Sequence, residues 1–109
     1  MSYNIDVTEK FQKELKRLLK KYKSLKEEYD QLINTLQNNP TLGKSIGHNC
    51  YKIRIAIKSK GTGKSGGARI IINVYIEGTT VYLLTIYDKS EQENITDKDL
   101  KKLLALIEK

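Results

Sequence analysis

Cysteine, histidine and, through the middle of the chain, acidic residues are scarce in this 109-residue sequence. The single cysteine, Cys50, excludes an internal disulfide, and with the single histidine, His48, it leaves no zinc constellation. No run approaches the roughly 18 apolar residues that a membrane span requires. The N-terminal MSYNIDVTEK also lacks the apolar stretch of a secretion signal. The chain therefore reads as cytoplasmic, with no membrane partner. Between Asp30 and Glu77 there is no carboxylate, while seven lysines and arginines fall in the same stretch. Magnesium needs oxygen ligands, so this argues against a two-metal nuclease, and no metal or other cofactor is expected.

The length suits one domain, residues 1–109, with a single hydrophobic core. The formal net charge is +7, and it is uneven. Residues 1–49 hold 9 basic and 6 acidic groups, residues 50–78 hold 6 and 1, and residues 79–109 hold 5 and 6. The excess peaks inside the chain among interleaved isoleucines, which is not the pattern of a disordered basic tail.

The opening SYNIDV alternates as a short strand. Phe11, Leu15, Leu18, Leu19 and Tyr22 form one stripe of a 3.6-period helix, and Leu25, Tyr29, Leu32, Ile33 and Leu36 repeat it. Ser24 is the expected N-cap of the second helix, and Asn38, Asn39 and Pro40 end it. The two form an αα-hairpin lying on the sheet. A polar loop, TLGKSIGHN, leads to a strand from Cys50 to Lys58. A Gly-rich loop then leads to a strand from Ala68 to Ile76, and a turn at Glu77–Thr80 to a last strand, VYLLTIYDK. Thr96 with Asp99 starts a final helix, which carries Leu100, Leu103, Leu104 and Ile107 and is expected to span 97–108. The fold class is α+β: a small, mostly antiparallel four-stranded sheet in the order β-α-α-β-β-β-α.

Strand alternation sorts the middle of the chain into two faces. Tyr51, Ile53, Ile55 and Ile57 take one, with Lys52, Arg54 and Lys58 opposite. Ile70, Ile72, Val74 and Ile76 take one, with Arg69, Asn73 and Tyr75 opposite beside Ile71. If Tyr82, Leu84 and Ile86 join the helix-covered core, then Thr85, Tyr87 and Lys89 share the cationic face. Surface lysines often serve only solubility. Cations and a tyrosine gathered from three strands, with no acid among them, point instead to a polyanion, above all a nucleic-acid backbone. Lys60 and Lys64 in the Gly-rich loop add phosphate-attracting charge. The GTGKS string there is not a P-loop, because Lys58 stands where the pattern needs glycine and a β-branched strand follows instead of a helix.

In CYKIRI (50–55), GGARIIINVYI (66–76) and VYLLTIYDKSEQENIT (81–96) the chain resembles the RelE/ParE superfamily of type II toxin–antitoxin toxins, nearest its RelE and HigB branches. The resemblance implies a ribonuclease that cuts messenger RNA in the ribosomal decoding site and is silenced by a cognate antitoxin. The family's pair of basic strand residues matches Lys52 and Arg54, its next-strand arginine Arg69, and its basic residue after the last strand Lys89. The family's terminal tyrosine would fall near Ile95, where none is present, so Tyr87 stands as its substitute. Lys58, Lys60, Lys64, Asn73 and Tyr75 complete the set as expected RNA contacts.

These residue types fit a metal-free reaction in which the RNA 2′-OH attacks the adjacent phosphate and leaves a 2′,3′-cyclic phosphate. Arginine clamps phosphate oxygens, and a lysine crowded by cations loses its proton more readily. Two other readings remain: a ParE-like gyrase poison, and a nucleic-acid-binding module without catalysis.

Overall fold

The computed structural model describes residues 2–107. Strand β1 (Asn4–Val7) leads into helix α1 (Glu9–Lys21). Thr8 starts that helix. Its hydroxyl accepts the Phe11 amide proton at 3.2 Å and donates to the Leu83 carbonyl at 3.2 Å, tying the helix start to the sheet. Helix α2 (Leu25–Asn38) follows after a tight turn. Ser24 occupies its N-cap position without capping it, because its hydroxyl is taken by Glu28 Oε1 at 3.0 Å and by the Ser59 amide at 3.0 Å.

Strands β2 (Lys44–Gly47), β3 (Cys50–Ile55), β4 (Ala68–Tyr75) and β5 (Thr80–Asp88) come next, then helix α3 (Asp97–Leu104). They form one five-stranded sheet in the order β1-β5-β4-β3-β2, antiparallel except for β1 beside β5. Sequence reading predicts four strands. The fifth, β2, is four residues with one apolar side chain, and it returns into β3 through His48 and Asn49, both in the left-handed region. Strand β3 stops at Ile55, short of the expected Lys58, which instead opens a 3₁₀ turn (Lys58–Lys60).

The sheet has a core on each face. Phe11, Leu18, Leu25, Leu32 and Leu36 of the two helices bury Ile53, Ile55, Ile70, Ile72, Val74, Val81, Leu83 and Ile86. On the other face α3 covers Cys50, Ile71, Leu84 and Tyr87 with Leu100 and Leu103. The second face is thus only partly solvated, contrary to expectation. Thr96 caps α3, accepting the Asp99 amide proton at 3.1 Å; Glu108, in the expected span of this helix, lies outside the described residues.

A β-bulge decides which residues of β5 face which core. Ile71 pairs with Thr85 but Ile72 with Leu83, so Leu84 is the extra residue. Val81 and Leu83 therefore face α1 and α2, and only past the bulge does Ile86 join them. Tyr82 and Leu84, expected in that core, pack toward α3 instead. Ile76, also expected inside, sits in the β4–β5 turn and is 64% exposed.

Candidate active site

Three strands bring the predicted cations into one cross-strand row. Arg54 on β3 stands opposite Arg69 on β4, and Arg69 opposite Tyr87 on β5. Such partners lie about 5 Å apart at Cβ. In the neighbouring row Lys52 pairs with Ile71 on one side and with Lys44 of β2 on the other. Lys89 follows directly after β5, its amide bonded to the Gly67 carbonyl at 3.0 Å and its Nζ to the Glu93 carbonyl at 2.9 Å. Among the described residues none of Lys44, Lys52, Arg54, Lys64, Arg69 or Lys89 forms an ion pair.

That imbalance acts on Lys52. Partial burial, and then the charges of Lys44, Arg54, Arg69 and Lys89, push its ammonium below the ordinary lysine range. Arg54 is exposed beside it. Arg69 is only 4% exposed, and its guanidinium is spent on the chain itself, donating to the carbonyls of Lys64 at 2.8 Å, Ala68 at 3.1 Å and Ser65 at 3.3 Å. The position is therefore not the surface site that alternation suggests. Tyr87 is buried next to it. Burial raises its phenol above the usual range, with Arg69 pulling the other way, and its hydroxyl has no hydrogen-bond partner among the described residues.

Two clefts meet at Lys44 and Lys52. One, of about 390 Å³, follows the outer edge of β3 and is lined by Leu32, Leu42, Ile53, Ile55, Arg54 and Lys64 besides those lysines and Gly43. It exists because β2 pairs with β3 only as far as Lys52, leaving the Ile53–Ile55 edge without an outer strand. Gly43 lies so close to the Lys52 carbonyl, at φ +106°, that a side chain there would collide with it. The second cleft, about 240 Å³, runs between Ile46 and the Asn94–Asp97 segment toward Leu100. Apolar walls with a cationic rim suit an unstacked base and its phosphate. Sequence reading missed Lys44, although its place in the pattern K-S-I-G opposite CYK is a usable signal.

The other expected RNA contacts divide. Lys64 lines the wider cleft, and exposed Lys58 stands on the 3₁₀ turn past β3, its amide held by Glu28 Oε2 at 2.8 Å. Lys60 is consumed. Its ammonium lies 2.7 Å from the fully buried carboxylate of Asp88, which also accepts from the Tyr22 hydroxyl and from Ser90. Asn73 is fully buried and donates to the His48 carbonyl at 3.0 Å, so it braces the β2–β3 turn and cannot meet RNA. Tyr75 pairs with Thr80 at the far end of β4, six residues from Arg69, or roughly 20 Å along an extended strand. The GTGKS loop ends in a 3₁₀ turn, Lys64–Gly66, and runs straight into β4, so it offers no helix N-terminus to a phosphate. Among the described residues no three His, Cys, Asp or Glu side chains converge as metal ligands. Nor is any helix there long and apolar enough to cross a membrane.

This arrangement of sheet and helices is shared with a class of small bacterial toxins. The isolated E. coli RelE toxin superposes with a TM-score of 0.64 at 18% identity, over 97% of this chain and 100% of that one. A double arginine-to-alanine mutant of E. coli RelE in the free state gives 0.63 at 19%, over 98% and 99%. A chain of the intact E. coli RelBE toxin–antitoxin complex gives 0.62 at 21%, over 80% and 96%. At these identities the likeness is one of fold. The family model described as "RelE toxin of RelE / RelB toxin-antitoxin system" matches residues 7–109. The chain belongs to the RelE toxin family.

Proposed function

We propose that this chain, as a single domain of residues 1–109, is a ribosome-dependent endoribonuclease that stops translation by cutting messenger RNA. The observation that carries the reading is the uncompensated cluster of Lys52, Arg54 and Lys89 beside Lys44, with Lys52 held below its ordinary range. Lys52, as a neutral amine, takes the proton of the RNA 2′-OH. That oxygen attacks the adjacent phosphorus and the 5′-oxygen leaves, giving a 2′,3′-cyclic phosphate. Arg54 clamps the phosphate oxygens, and the Lys89 ammonium gives a proton to the leaving 5′-oxygen. Arg69 works from beneath, fixing the loop that carries Lys64, and Tyr87, whose hydroxyl is buried, packs against Arg69 under the cations. Metal is not required, and the acid-free stretch from Asp30 to Glu77 supports that. No histidine lies in the row, so the ribosome must supply what the chain lacks in positioning the substrate.

The partners are the ribosome with messenger RNA in its decoding site and a cognate antitoxin, in the cytoplasm. A solved RelE bound to its RelB antitoxin supports the second by analogy. A binding-only reading draws on one observation, that Arg69 spends three hydrogen bonds on carbonyls of its own chain. Toeprinting on translating ribosomes separates the readings. Cuts at defined codon positions support the nuclease, stalled but intact message supports the binder, and gyrase-dependent DNA breaks in cells support a gyrase poison.

A further inference from the structure

Helix α1 carries a second cationic surface that the site does not use. Its outer face holds a shallow depression of about 560 Å³ lined by Lys13, Lys16, Arg17, Lys20 and Lys21. From Lys10 to Lys23 the chain has seven cations and one acid, Glu14. That acid is occupied by Lys10 at 2.6 Å and by the Thr85 hydroxyl at 2.7 Å. Lys16 and Lys20 are exposed and form no ion pair among the described residues. Arg17 and Lys21 share Glu91, at 2.6 and 3.7 Å.

The chemistry of the surface narrows its partner. A membrane-bound amphipathic helix turns an apolar face to the lipid, but here Phe11 and Leu18 are fully buried against the sheet. A protein interface is built around an apolar or aromatic core, and the depression is lined by cations throughout. What remains is a regular polyanion read by charge. Lys13, Lys16 and Lys20 run along one face for roughly 10 Å, at about 1.5 Å per residue. On a duplex, each strand presents a phosphate on the order of every 3 Å of axis, so this line meets several.

The surface is also fixed relative to the row of strand cations. Arg17 and Lys21 reach Glu91 and Tyr22 reaches Asp88, tying α1 to the end of β5 that carries Tyr87 and Lys89. We propose that the outer face of α1 is a second RNA-binding surface, which grips the phosphate backbone of a duplex RNA while the β3–β5 row meets a single strand. The choice of RNA over other polyanions rests on the nuclease reading above.

The test uses the full chain and a blunt RNA duplex of about 16 base pairs, a length that shape-reading RNA-binding domains span. The variant Lys13→Gln/Lys16→Gln/Lys20→Gln keeps helix propensity and removes charge. Its affinity for the duplex should fall about tenfold or more, with a salt dependence shallower by about two to three. The charge-matched variant Lys98→Gln/Lys101→Gln/Lys102→Gln, on α3, should bind the duplex as the parent does. Unchanged duplex binding by the glutamine variant overturns the proposal. So does a parent chain that prefers a polyglutamate peptide to the duplex. Duplex binding through α1 without any cleavage of messenger RNA would retire the nuclease reading and leave this surface standing. Normal cleavage without duplex binding would do the reverse.

Discussion

Lys44 and Lys52 face each other directly across the β2–β3 pair, two cations on one sheet edge with no carboxylate in ion-pair reach among the described residues. Like charges in that position weaken a strand pair, so the arrangement costs stability. Its return is chemical. After burial, Lys44 is the largest cause of the depressed Lys52 ammonium.

Lys44→Gln should therefore move the pH dependence of cleavage. Only neutral Lys52 accepts a proton, so activity climbs as pH rises through its pKa. Removing the Lys44 charge favours the ammonium form and raises that pKa. The rising limb then shifts to higher pH and the rate near neutrality falls, while Lys44→Glu shifts it further. A limb that stays put in both variants contradicts the base role of Lys52.

Arg69→Ala should unfold more easily than a surface substitution does. The side chain is buried and donates to three carbonyls, so its loss leaves a cavity and frees the Lys64–Gly66 turn. A loss of roughly 2–4 kcal/mol is expected in chemical denaturation. A variant as stable as the parent would show that these bonds carry no weight.

Asp88→Asn should be costly at neutral pH and less so in acid. Burial alone would raise the Asp88 carboxyl, but hydrogen bonds from Lys60, Tyr22 and Ser90 outweigh it and hold the group far below the usual carboxylate range. A carboxyl depressed on folding contributes its full stability above the unfolded pKa of about 4, and loses it as pH falls toward the folded value. The substitution leaves Lys60 without its counter-charge, a loss of roughly 3–5 kcal/mol at pH 7. Denaturation at pH 7 and at pH 3 should show the gap between parent and variant narrowing in acid. An equal gap at both would mean that the pair is not what Asp88 contributes.

The helices were legible in the sequence because their apolar stripes keep one period over several turns. The shared face of Lys52, Arg54 and Arg69 was legible because alternation on β3 and β4 is unbroken, but the burial of Arg69 under its own loop was not. Alternation failed on β5, where one extra residue, Leu84, moves Val81 and Leu83 to the face expected for Tyr82 and Leu84. Strand β2 was too short and polar to announce itself, and with it went Lys44. Lys60 was misread because acids were counted along the chain, while the one that neutralises it, Asp88, arrives from β5. The α1 surface was hidden by averaging its lysines with the acids of α2, Glu27, Glu28 and Asp30.

The central claim is that the row turns the RNA 2′-OH on its own phosphate, and the ends of the cut message test it most directly. Purified chain is incubated with programmed ribosomes, and the 3′ ends of the message fragments are identified chemically. The account predicts 2′,3′-cyclic phosphate ends from the parent, and no cuts from a folded Lys52→Ala variant or from a message carrying 2′-deoxyribose at the cleaved position. Cleavage that survives the 2′-deoxy substitution, or a message left intact by the parent chain, would contradict it.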